Sequence, residues 1–234
     1  MSGMEIGWPR HPQELEALQE DLARSAVSVA GWGPPVDLPP AIGGLFVTSS
    51  IPGPPRCWAG AVVVRDGRVL SSAVVPGEPL ARYVPGRLAL REGPMLELAV
   101  RQLDAPFDVL LVNATGRDHP RGAGLALHLG AVVDVPTVGI TDRPLVAEPV
   151  GEPGGDRGSS VPLLLKGELV GHVVRTRTGA KPVLAHAGWR TDAETARSVA
   201  LAAGGTARTP EPIRQARHLA RLARAAPEGH VERS

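Results

Sequence analysis

The stretch FDVLLVNATGRDHPRGAGLALHLGAVVDVPTVGI, from Phe107 to Ile140, constrains the fold more than any other part of the chain. Val109, Leu110, Leu111 and Val112 form an unbroken apolar run, which reads as a strand buried on both faces. Gly122–Val133 is predicted as a helix and Thr137–Thr141 as a second buried strand. Strand, helix, strand in this order is a βαβ unit, which makes the two strands parallel with a right-handed crossover. The first strand runs out at Asn113-Ala114-Thr115-Gly116, followed by Asp118-His119-Pro120-Arg121. The layout is that of a strand delivering a functional group to the edge of a sheet, yet the residue at the tip is an amide rather than a carboxylate.

The remaining chain builds around this unit. Residues 11–29 read as a helix: Pro12 suits its first turn, Glu14 and Glu16 sit near its positive end, and Leu15, Leu18, Leu22 and Val27 mark one apolar side. After a Gly/Pro loop at 31–40 come three strands, Ile42–Ser49, Trp58–Arg65 and Arg68–Val75, the last two joined by the hairpin signal Asp66-Gly67. A loop at 76–86 leads into a helix over Leu88–Leu103. Beyond the βαβ unit, Pro162–Leu165, Glu168–Arg175 and Pro182–Ala185 read as short strands and Asp192 to Ala203 as a helix. Glu211–Ala225 reads as a closing helix with Arg214, Arg217, Arg221 and Arg224 on one basic stripe. A stripe of this kind either holds phosphates or faces water. A three-strand meander followed by βαβ is the RNase H-like arrangement: an α/β, mixed sheet flanked by helices, expected as a single domain over 1–234. Within it, 147–160 is expected as a flexible surface loop and 227–234 as a disordered tail. This topology brings the first strand, the following helix and the fourth strand to one point, which here means Phe46, Glu92 and Asn113.

Composition narrows the function classes. A net charge of +1 gives no global pull toward nucleic acid, although a local basic face remains open. The single Cys57 rules out an intramolecular disulfide framework and a cysteine-based zinc site. Four Trp, two Phe and one Tyr are too few for a single-strand binder built on ranks of stacked aromatics. No apolar stretch approaches the roughly 20 residues a membrane helix needs. No signal peptide is visible in MSGMEIGWPRHPQ, so a cytoplasmic protein with no membrane partner is expected. Oligomeric state is left open.

Four blocks, in order, carry a resemblance: RYVPGRLALREGP, FDVLLVNATGRDHPRGAGLALHLGAVVDVPTVGI, KGELVGHVVRTRTGAKPV and PEPIRQARHLA. Together they resemble the endonuclease V family over essentially the whole chain. That resemblance implies a Mg²⁺-dependent nuclease that cleaves the second phosphodiester 3′ to a deaminated purine, inosine, in DNA or RNA. It also implies two metal-binding aspartates where this chain has Phe46 and Asn113, with Glu92 the retained member of the set. A family lysine is Asp142 here, a PGHR turn is AGWR with Trp189, and an aspartate or histidine of the last helix corresponds to Arg217.

From residue chemistry alone Glu92 is equally a helix-dipole partner, Asn113 a turn residue and Phe46 a core residue. The resemblance implies more for the other blocks. Tyr83, Val84, Pro85 and Gly86 correspond to a wedge entering the duplex beside the damaged base. Leu88, Gly116, Gly124 and Leu125 correspond to walls of the base pocket. His119 and Arg121 are unchanged from the family, Arg121 facing a phosphate. Lys166, Arg175, Arg177, Lys181 and Arg190 are candidates for a basic rim. Two functions follow: an inosine-recognising protein that has lost its metal cluster, or an active endonuclease whose site is rebuilt with Asp142, Asp118 or His119.

Overall fold

The computed structural model describes residues 6–29, 31–34, 39–50 and 55–226. The expected tail at 227–234 lies outside the described residues. Among the described residues, five helices flank one nine-stranded sheet of order β3-β2-β1-β4-β5-β9-β8-β7-β6. The meander is β1 (Ile42–Ser49), β2 (Cys57–Arg65) and β3 (Arg68–Gly77), each antiparallel to the next. Asp66 and Gly67 make its tight turn, both at positive φ. β1 then runs parallel to β4 (Val109–Val112), and β4 parallel to β5 (Thr137–Thr141). The other half is antiparallel: β5 pairs with β9 (Val183–Ala187), β9 with β8 (Glu168–Val174), β8 with β7 (Ser160–Leu165), and β7 with β6 (Glu148–Pro149). The RNase H-like order is therefore present. Among the described residues no helix is long and apolar enough to cross a membrane.

The strands alternate between two cores. Leu45, Leu110 and Val112 face α2 (Leu88–Arg101), α3 (Leu125–Val133) and Leu15 of α1 (Pro12–Ser28). Ile42, Val109 and Leu111 face Ala196 and Val199 of α4 (Ala193–Ala202) and Ile213 of α5 (Glu211–Ala225). Helix α5 lies directly on the backbone of the meander. A Cβ at Gly44 would overlap the backbone of Pro212, and one at Gly60 the backbone of Ala216. The absence of side chains at these two strand positions sets how close the last helix comes.

Element boundaries shift by a few residues from the sequence reading, two of them for a clear local reason. Helix α3 starts at Leu125, not Gly122, because Gly122 has φ +73° and its N–H closes a turn on the carbonyl of His119. β4 ends at Val112, though the Asn113 N–H still donates to Leu45 O at 3.3 Å. Within 147–160, Glu148 and Pro149 pair with Leu164 and Leu163, and Arg175 donates to the carbonyls of Pro153 and Gly154.

Candidate nucleic-acid site at the strand ends

A cavity of about 580 Å³ opens at the C-terminal ends of β4 and β5. Open α/β sheets carry ligand sites at this edge, and the volume is ample for a nucleobase with part of its backbone. One wall is Tyr83–Gly86 with Leu88 and Glu92, a second is Asn113–Thr115 and Leu125, and a third is Thr141–Leu145.

The first wall is a tight turn. The Arg87 N–H donates to Val84 O at 3.0 Å, with Pro85 and Gly86 between and Gly86 at φ +76°. This is a type II turn, whose third position favours glycine. It is anchored from behind: Gly86 O accepts from Arg121 Nη2 and His119 Nε2, both at 3.0 Å, and from Gln19 Nε2 at 3.4 Å. His119 Nδ1 in turn accepts the Arg121 N–H at 3.2 Å. The ring is therefore neutral, and burial pushes its pKa down to about 4. Arg121 also donates to Gln19 Oε1 at 2.8 Å, so its guanidinium holds the turn and α1 together. Tyr83 is left 64% exposed at the rim.

Glu92, Asn113 and Asp142 share the cavity, as the sequence suggests. Burial pushes the Glu92 carboxyl up to about 7, offset in part by Arg91 at 3.9 Å. The Asp142 carboxylate is paired with Arg208 at 2.9 Å. Phe46 follows the residue paired with Val112, which sets it beside Asn113 on the neighbouring strand. Strand alternation turns Val47 into the cavity, while Phe46 packs with Ile42, Val62 and Ala216 beneath α5. The Arg217 guanidinium carbon stands 4.8 Å from the centre of the Phe46 ring.

Magnesium demands hard oxygen donors in near-octahedral array, usually including one or two carboxylates. Of the two carboxylates here, one is held by Arg208 and the other stands against Arg91. Among the described residues no group of three or more His, Cys, Asp or Glu side chains is placed to hold a metal ion. The donor set does not fit Mg²⁺.

Other sequence candidates pack the frame. A Cβ at Gly116 would overlap the backbone of Ala187, and one at Gly124 the backbone of Thr115, so both glycines serve close packing. Trp189 is buried with Leu127 and Ala131 of α3. Lys166 sits in the β7–β8 hairpin at φ +53°, on the far side of the sheet from β1.

The sequence reading offers Asp118 only as a replacement ligand and misses what it does, along with its partners His186 and Thr141. Asp118, fully buried, accepts the N–H groups of Leu145, Val146 and Ala147 at 2.7, 2.9 and 2.8 Å. It thereby shapes the third wall of the cavity. Beside it, 3.8 Å away, is Nδ1 of buried His186. His186 Nε2 meets Thr141 Oγ1 at 2.7 Å, and that hydroxyl donates to Arg143 O at 2.9 Å. Thr141, His186 and Asp118 come from three distant segments, so no spacing reveals them. The one signal was a histidine inside the apolar strand VLAHA, which needs a buried partner. Asp118→Asn replaces an all-acceptor carboxylate by an amide whose NH₂ faces donors. It should cost roughly 1.5–3 kcal/mol, read as a lower urea midpoint at neutral pH with an unchanged slope. An unshifted midpoint would mean the carboxylate does not hold the 145–147 backbone.

The model of the family Endonuclease V matches residues 39–218. Among similar proteins, the endonuclease V of Nocardia farcinica is 40% identical over 224 residues, covering 94% of this chain and 96% of the relative. That of Rhodospirillum centenum is 37% identical over 222 residues, covering 84% and 92%. The crystal structure of endonuclease V from Streptomyces avermitilis superposes with a TM-score of 0.82 at 34% identity, covering 93% of this chain and 94% of that one. The endonuclease V of Ciona intestinalis, solved with a 24mer DNA containing an inosine, shares the fold at a TM-score of 0.76 and 21% identity, covering 90% and 96%. With matches of this extent along both the sequence and the fold, the chain belongs to the endonuclease V family.

Proposed function

We propose that this protein, acting in the cytoplasm, recognises inosine in DNA or RNA, and that its hydrolysis of the phosphodiester is impaired. One observation carries the reading. A single cavity joins the Tyr83–Gly86 turn, Leu88 and Leu125 to Glu92 and Asn113, yet among the described residues it has no set of carboxylates to hold a metal. The Ciona intestinalis protein of the same fold, solved with inosine-containing DNA, supports the choice of ligand. Tyr83 and Val84 stand exposed on a turn anchored at one carbonyl, as an apolar wedge that fills the gap left by a displaced base requires. Leu88 and Leu125 offer apolar walls to a flat base. The alternative is an active Mg²⁺-dependent enzyme with a rebuilt site. It draws on the position of Asp142 in the same cavity as Glu92, and requires Asp142 to leave Arg208.

Cleavage of inosine-containing strands with Mg²⁺ or Mn²⁺ tests this. Turnover is expected at least about a thousandfold below that of the Streptomyces avermitilis relative, since each lost anionic ligand removes several kcal/mol of charge stabilisation. Multiple-turnover nicking abolished by Glu92→Ala would replace this reading with the rebuilt site. Binding tests recognition separately. Wild type should prefer an inosine strand over its adenine counterpart, and Tyr83→Ala should weaken that binding about tenfold, the loss of one aromatic stack on a base. Equal affinity for both strands in wild type and variant would reduce binding to phosphate attraction.

A further inference from the structure

We propose that Arg217 holds a backbone phosphate of the nucleic acid at the strand ends, beside Asn113, supplying from the chain itself the positive charge that a divalent ion would otherwise bring. This rests on the nucleic-acid reading above but not on its preference for inosine.

Position comes first. Phe46 and Asn113 are neighbours on β1 and β4, and Asn113 lines the cavity. The two side-chain-free positions at Gly44 and Gly60 seat α5 on the strand backbones, which sets the Arg217 guanidinium over the Phe46 ring. A guanidinium carbon over an aromatic ring leaves the terminal Nη groups able to donate to an acceptor. Phosphate oxygens match that fork in pairs.

Charge comes second. Along the α5 stripe the arginines are not equivalent. Arg214 is neutralised by Glu211, at 2.7 and 2.5 Å. Arg224 donates to Thr48 and Ser49. Arg217 and Arg221 have no hydrogen bond or ion pair among the described residues, and Arg217 Nε is buried without an acceptor. The acidic group that bears on Arg217 is Asp142, which is already taken by Arg208. Burial and the charges of Arg221 and Arg208 hold the Arg217 pKa below the usual arginine range, and among the described residues no carboxylate pairs with it directly. A half-buried guanidinium with no ion pair, beside a cavity with no metal-binding carboxylate set among the described residues, is complementary to an anion.

Affinities for a labelled inosine strand and its adenine counterpart, measured against KCl concentration in EDTA, test the proposal. Arg217→Gln should weaken binding to both strands about tenfold and lower the slope of log K against log[KCl] by about 0.7, one phosphate on a single strand. Arg217→Met, which keeps the contact with Phe46, should behave the same, and Arg217→Lys should keep the slope. Arg214→Gln should leave the slope unchanged. A neutral methylphosphonate walked along the strand should find one position where Arg217→Gln costs nothing further. Mg²⁺ should bring no gain in wild-type affinity. The proposal is overturned by wild-type slope and affinity in both Arg217→Gln and Arg217→Met, by an equal loss in Arg214→Gln, or by a tenfold gain with Mg²⁺. Equal wild-type affinity for the two strands would sink inosine recognition alone, because the Arg217 slope is read on either strand.

Discussion

Acidification should destabilise Glu92→Gln about twice as steeply as wild type. His119 and His128 are neutral and buried, each held down to about 4 against an unfolded value of 6.5. Burial is the cause in both, and His128 is wedged against Trp8 with its ring centre 4.4 Å away. Above pH 6.5 neither state binds these protons and stability is complete. Below it, the unfolded chain takes up protons that the folded chain refuses. Each histidine then withdraws up to about 3 kcal/mol by pH 4. His186, depressed by its burial, acts in the same direction.

Glu92 acts with opposite sign. Its folded pKa of about 7 lies above the unfolded 4.5, so the folded chain keeps a proton that the unfolded chain has lost. Its penalty is absent below pH 4.5 and rises to about 3 kcal/mol as pH passes 7. Glu92→Gln should therefore exceed wild type by about 3 kcal/mol near pH 8 and match it near pH 4. Between those limits wild type should lose about 3 kcal/mol and the variant about 6, before the share of His186 is added, against a typical total stability of about 5–15 kcal/mol. Urea titrations across this range test it. Parallel curves would show that the Glu92 carboxyl is not raised, and flat ones that the histidines titrate normally.

The second large effect concerns Phe46 and Asn113, where the family resemblance implies aspartates. Phe46→Asp with Asn113→Asp should lose about 3–5 kcal/mol for the phenyl group, with a further cost for the buried carboxylate. The new carboxylate at position 46 would stand under the Arg217 guanidinium, now 4.8 Å from the ring centre, and pair with it. That pairing competes with metal. Mn²⁺ should thus raise the melting temperature of the double variant only slightly. With Arg217→Ala added, it should contribute about 2.7 kcal/mol at a hundredfold excess over Kd. Melts with and without Mn²⁺ measure both. If neither variant responds, strand ends and Glu92 no longer converge on a metal-sized point.

Much of this architecture is written in apolar periodicity. β4, α3 and β5 follow from an apolar run, a helical repeat and a second run, and the parallel pairing follows from the crossover between them. β6 does not, because Glu148-Pro149 has no alternation and exists only through its pairing with β7. Glu92, Asn113, Asp142, His119, Leu88, Leu125 and the Tyr83–Gly86 turn do meet at one cavity. What sequence did not convey was direction. Arg121 is the right residue for a phosphate but turns inward to Gly86 and Gln19. Asp118, weighed as a replacement ligand, is used up by three backbone donors. The outward side of Phe46 depends on which face of β1 meets α5, and two glycines rather than any charged motif determine that contact.

The seating of α5 also has a kinetic side. The helix that covers β1 and β2 is made at the far end of the chain, so Ile42, Phe46 and Val62 wait for residues 211–225 before that face of the sheet is closed. Contacts between such distant segments slow folding, and uncovered strands are the sticky species of larger proteins. On the ribosome the first half of the sheet is therefore synthesised long before its last cover. A chain released short of α5 should persist as an open, aggregation-prone sheet rather than a smaller working protein.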